Sequence, residues 1–130
     1  MLLGSVDVFL GLNLGFGGFL TLGWLGPSDF LEITNQHAYL VQDSHMRFYG
    51  GLYVGVGLFL ILSATNLAKY RLALNLVFVL AFMGGLARLT MMRSDIIFGP
   101  NIIGSLMAEL ILMPILVFWL SRIVKLNTAR

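Results

Sequence analysis

Four long runs almost free of charge set the terms for this chain. Val8 to Ser28 and Phe48 to Ala68 carry no charged residue, Leu72 to Met92 is broken only by Arg88, and Ile96 to Ser121 only by Glu109. About 20 apolar residues wound as a helix cross a hydrocarbon core roughly 30 Å thick. Each run is therefore long enough to be a membrane span, and together they use most of the 130 residues. Only 11% of the chain is charged, against about 25% in an ordinary soluble domain. No soluble domain of useful size is left over.

The expected fold is all-α: one transmembrane domain over 1–130, an integral membrane four-helix bundle. Its helices are expected at about 3–25, 46–67, 72–92 and 101–122. The first run is read as a membrane helix and not a cleaved leader, because it lacks a basic leading region and is too long. The longest connection, near Gly26–Ser44, holds Asp29, Glu32, Asn35, His37, Gln42 and Asp43. Ser28 or Asp29 followed by Glu32 resembles a helix cap, so a short interfacial helix is expected there. Lys69 and Arg71 lie on the same side as Arg122, Lys125 and Arg130. The other side mixes Arg47 and Arg93 with Asp29, Glu32, Asp43 and Asp95. Basic residues mark the cytoplasmic side. Both termini are thus expected in the cytoplasm and the long first loop outside it.

Each span carries small residues at helical spacing. Gly11 and Gly15, Gly51 and Gly55, Gly84 and Gly85, and Gly104 are expected to be packing residues, since small side chains let backbones approach where lipid removes the hydrophobic drive for association. Nothing resembling a phosphate-binding strand–loop–helix surrounds them. The intramembrane charges share these faces. Arg88 falls roughly 6 Å and Glu109 roughly 12 Å from the outer ends of their helices, a difference an arginine side chain spans. An Arg88–Glu109 pair, joined by Arg47, is the expected way to neutralise all three, because a charge near a bilayer centre costs roughly 2.5–3.5 kcal/mol. Pro114 should bend the last helix just inward of Glu109.

Two uses of this cluster compete. One is a structural ion pair that sets helix register. The other is a binding site for a lipid head group, a quinone or another anionic small molecule, as a carrier would have. A proton relay through Glu109 is disfavoured by two guanidinium groups beside one carboxylate. With no cysteine, disulfides, thiol redox chemistry and thiolate metal sites are excluded. His37, Asp43 and His45 match no standard metal spacing, so no metal site is expected. Asp43 and Arg47 form an i,i+4 surface pair if the second helix begins early. Asn13 and Asn75 are expected to hydrogen-bond between helices. There is no nucleophile–base pair and no metalloenzyme motif, so no catalytic residue is assigned and no cofactor identified. The net charge of +2 is scattered, which gives no footprint for nucleic acid.

MRFYGGLYVGVGLFL, FMGGLARL and FGPNIIGSLMAELILMPILVFWLSR resemble a bacterial family of small four-helix membrane proteins, catalogued only as a domain of unknown function and distantly similar to DoxX-like proteins. The matching positions are Arg47, Gly51, Gly55, Gly84, Gly85, Arg88, Gly99, Pro100 and Glu109. The resemblance supports the four-helix fold and the weight given to Arg47, Arg88 and Glu109, and it supplies no activity. The expected location is the bacterial inner membrane, as a multi-pass protein. Because the glycine-rich faces exceed what one four-helix bundle needs and the chain has no room for a catalytic domain, the expected role is a non-catalytic accessory or assembly subunit of a larger membrane complex, or a small homo-oligomer. Its expected partners are the lipid bilayer and either another membrane protein or a second copy.

Overall fold

The computed structural model describes residues 1–19, 33–100 and 102–128, and every regular element among them is helical. They are α1 (Leu2–Gly17), α2 (Gln36–Ser63), α3 (Leu67–Leu89), the short α4 (Ser94–Ile97), α5 (Ile103–Met107) and α6 (Met113–Thr128). A π-helical turn, Ala108–Leu112, joins α5 to α6. Three stretches are long and apolar enough to cross a membrane: Gln36–Ser63, Leu67–Leu89 and Ile103–Lys125. At 1.5 Å per residue, 23 residues reach about 35 Å. The fourth helix, α1, is apolar but shorter.

Several helix boundaries differ from the sequence expectation, among them the start of α3, at Leu67 where 72 was expected. The first helix, expected to run to residue 25, ends at Gly17, where Gly18 takes φ +58°. That left-handed backbone is open to glycine and costly for residues with a Cβ. The second helix begins at Gln36, ten residues before the expected 46. Asn35 caps it, its side chain accepting a hydrogen bond from the Ala38 amide at 3.0 Å, and no glycine or proline interrupts the next thirteen residues. The last helix continues to Thr128, past the expected 122. The expected cap at Ser28–Asp29 and the interfacial helix after it fall at residues 20–32, outside the described residues, as does Asn101.

The chain divides into two compact units, Met1–Ala64 and Thr65–Arg130. In the first, α1 and α2 run antiparallel at backbone contact. A Cβ on Gly4 would fall 2.6 Å from the Gly57 carbonyl oxygen, and one on Gly11 2.6 Å from the Val54 nitrogen. A Cβ on Gly50 would collide with the backbone of Gly15. Gly4 and Gly11 are seven residues apart, as are Gly50 and Gly57. A seven-residue period keeps a seam facing its partner in a left-handed crossing.

The second unit pairs α3, also antiparallel, with the helix from Ile103 onward. Here side chains fill the seam: Leu74 and Phe78 from α3, and Leu106, Met113, Leu120 and Val124 from the other helix, are all buried. Of the glycines described there, Gly85 makes a contact of this closeness between the two helices. A Cβ on it would lie 2.8 Å from the Glu109 Cβ.

Candidate functional site

The second unit holds an ion pair that the local backbone builds. Pro114 has no amide hydrogen, and its ring would crowd the carbonyl of Leu110 four residues back. The helix answers by widening. The Met113 amide donates to the Ala108 carbonyl, five residues back, and residues 108–112 form a π turn. Turns of this kind appear inside α-helices often at functional sites. Glu109 sits within it.

Glu109 faces the gap left by Gly85. Arg88, three residues further along α3, lies on the same face and closes a two-point fork. Arg88 Nε donates to Glu109 Oε2 at 2.7 Å and Arg88 Nη2 to Glu109 Oε1 at 2.9 Å. Such planar, charge-assisted pairs are strong and directional. The Glu109 side chain is 16% accessible and that of Arg88 is 40%. The carboxylate is therefore largely enclosed, while the Arg88 side chain is more accessible.

Arg47 belongs to a different arrangement, in the first unit. Its Nε donates to Asp43 Oδ2 at 2.7 Å, and its Nη1 to the Phe16 carbonyl at 2.6 Å. The other Asp43 oxygen accepts from the Phe19 amide at 2.8 Å. The last carbonyls of a helix lack partners within it, and a cation there also meets the negative end of the helix dipole. Asp43 and Arg47 thus clamp the end of α1 onto α2. The early start of α2 brings the two into i,i+4 register, as the sequence allows. The expected surface pair is only half so, because Asp43 is 7% exposed. Gly18 leaves room for it, since a Cβ there would collide with the Asp43 carboxylate.

The expected packing glycines divide in two. Gly11, Gly15 and Gly85 lie at helix contacts. Gly51, Gly55, Gly84 and Gly104 have no atom within 4 Å of where a Cβ would stand. In α2 it is Gly50 and Gly57 that meet α1, and Gly51 and Gly55 sit off that seam. Four-residue spacing marks the open pair Gly51–Gly55; the seven-residue spacing of Gly4–Gly11 and Gly50–Gly57 is the signal that finds the contact. Asp43 was no more obvious, because a polar residue in an acidic connection looks solvated until the helix is extended back to Gln36.

Other polar residues hold less. The Asn13 side chain donates within its own helix, to the Phe9 carbonyl at 2.8 Å. Asn75 Oδ1 is buried with no hydrogen-bond partner among the described residues. Arg93 and Asp95 pair at the exposed start of α4, Arg93 Nη2 donating to Asp95 Oδ2 at 2.7 Å. That hydrogen bond holds the Asp95 carboxyl below the usual carboxylate range. No group of three metal-ligating side chains occurs among the described residues.

One family model, described as "Domain of unknown function (DUF4345)", matches residues 6–120. No curated protein and no solved structure matches the chain.

Proposed function

We propose that this chain, which belongs to the DUF4345 family, is a non-catalytic integral membrane protein that works by associating with other membrane helices. It would serve as an accessory or assembly subunit of a larger complex or as a small homo-oligomer. The proposal extends to a multi-pass protein of the bacterial inner membrane, one four-span domain with both termini in the cytoplasm.

The observation that carries this reading is the set of open glycines. Gly51, Gly55, Gly84 and Gly104 leave space where a Cβ would stand, on helices apolar enough to lie in lipid. Small-residue faces are where membrane helices dock. The charges support it, since Asp43–Arg47 and Arg88–Glu109 each tie two helices of one unit together. The chain has no cysteine, so single cysteines can be placed cleanly. Gly55→Cys and Gly84→Cys should form disulfide-linked species under mild oxidation in native membranes. Mass spectrometry of those species would separate a second copy from a different protein. If neither site crosslinks while an exposed control such as Ser94→Cys, at the start of α4, labels normally, the association reading fails.

A second reading draws on the accessibility of the Arg88 side chain. An arginine side chain 40% accessible beside an enclosed carboxylate could take an anionic head group or a quinone oxygen. Glu109→Gln separates the two: a binding site loses its ligand and stays folded, whereas a structural pair loses stability.

A further inference from the structure

The two helices of the second unit carry their charges very unevenly. Thr65–Arg130 contains seven lysines and arginines but only two acids, Asp95 and Glu109. Both acids are engaged, with Arg93 and Arg88. The remaining described cations, Lys69, Arg71, Arg122 and Lys125, form no ion pair among the described residues.

The antiparallel register gathers these four. Gly85 lies against Glu109 and Leu110. Moving about 14 residues, or roughly 21 Å, toward the start of α3 and the same distance along α6 puts Arg71 level with Val124. Arg71 is half-buried there, and Arg122 and Lys125 flank that level on an exposed surface. Lys69 lies half a turn before Arg71. Glu109 is roughly 20 Å back along the helix from Arg122, and Asp95 lies past the opposite end of α3.

We propose that this end of the second unit, formed by Lys69, Arg71, Arg122 and Lys125, binds the phosphate head groups of anionic phospholipids. The inference rests on the membrane reading above. Four cations without acids sit where two apolar helices end, the level of the phosphate plane. Long basic side chains reach that plane while their stems stay on apolar surface, and basic clusters beside membrane helices recognise anionic lipid. Aromatic rings hold two of the cations at this level: Lys69 Nζ lies 5.1 Å from the Tyr70 ring centre, and the Arg122 guanidinium 4.8 Å from that of Phe118. Trp119 is exposed beside them, as an interfacial anchor would be. Of the first amides of α3, that of Lys69 is already taken, donating to the Asn66 side chain at 2.9 Å.

The test uses the full chain in nanodiscs of equimolar phosphatidylcholine and phosphatidylglycerol. Native mass spectrometry counts the lipids retained on release. The wild type should keep phosphatidylglycerol in preference, and K69Q/R122Q/K125Q should keep about tenfold less. R93Q, at the other end of α3, should behave as wild type. If the triple variant does not fold, salt gives the same answer on the wild type, because 1 M NaCl shortens the screening length to about 3 Å and should abolish the preference. Equal retention by wild type and triple variant, or a preference unmoved by salt, overturns the proposal. Failure of the membrane reading looks different: the chain would then be extracted from cell membranes by alkaline carbonate and would not enter nanodiscs at all.

Discussion

The two units solve one problem, holding two apolar antiparallel helices together, by opposite means. In Met1–Ala64 the backbones touch. Glycines at Gly4, Gly11, Gly50 and Gly57 let the two backbones meet, with the Val8, Tyr53 and Ile61 side chains packed around them, and a charged clamp, Asp43–Arg47, works at the end of α1. In Thr65–Arg130 the seam is filled by leucine, phenylalanine, methionine and valine, and the ion pair lies within the span. Close backbone contact has no slack, so it needs glycine at each crossing point. A side-chain seam has slack, and there a polar fork adds the direction that leucines lack.

Breaking the fork should give the largest effect. Glu109→Gln removes the carboxylate that Arg88 grips, and because the pair is only partly enclosed the loss should approach but not exceed the about 3–5 kcal/mol of a fully buried pair, read as a shifted midpoint in denaturant unfolding of the detergent-solubilised protein. Replacing both partners, Arg88→Met with Glu109→Met, should recover most of that loss, since a well-packed apolar pair often equals a buried ion pair. If the double variant is no better than the single one, the fork is more than a structural tie.

The glycine seam comes next. Gly50→Ala drives a methyl group into the Gly15 backbone and should destabilise by about 1–3 kcal/mol. Gly51→Ala, one residue away on open space, should gain up to about 1 kcal/mol from helix propensity. The same unfolding measurement on the two variants tests which glycines belong to the seam, and equal losses at both positions would place both glycines on the same footing.

Asp43→Ala should cost about 1.5–3 kcal/mol, the range for hydrogen bonds to a charged group. The loss should be concentrated at the end of α1, where faster hydrogen exchange at the Phe19 amide would reveal it.

The smallest effect is a pH dependence at α4. The folded Asp95 carboxyl titrates below its ordinary value because of its bond from Arg93. The stability it contributes is therefore present above the unfolded pKa, about 3.9, and lost as the pH falls through the lower, folded value. Wild type should lose slightly more stability than Asp95→Asn below about pH 4, and the two should run parallel above it.

Much of this was legible from residues alone. An arginine and a glutamate isolated in consecutive apolar runs have few partners but each other, and the structure joins Arg88 to Glu109. Pro114 announces a disturbed turn, since a missing amide hydrogen disrupts any helix that contains it. Arg47 shows where such reasoning stops. Its residue type says that it needs an acceptor, but two carboxylates and several helix-end carbonyls were within plausible reach. Only the seating of α1 on α2 selects Asp43 and Phe16.

The sequence by itself determined that the chain is helical, apolar enough for lipid, and charged mainly where helices end, because those properties depend on composition and spacing along one strand of chain. The tertiary structure alone decided which glycines touch, which acid is buried and which cations share a level. Those depend on the rotation and register of one helix against another, and Gly50 and Gly51, neighbours of identical chemistry, point to opposite outcomes for that reason.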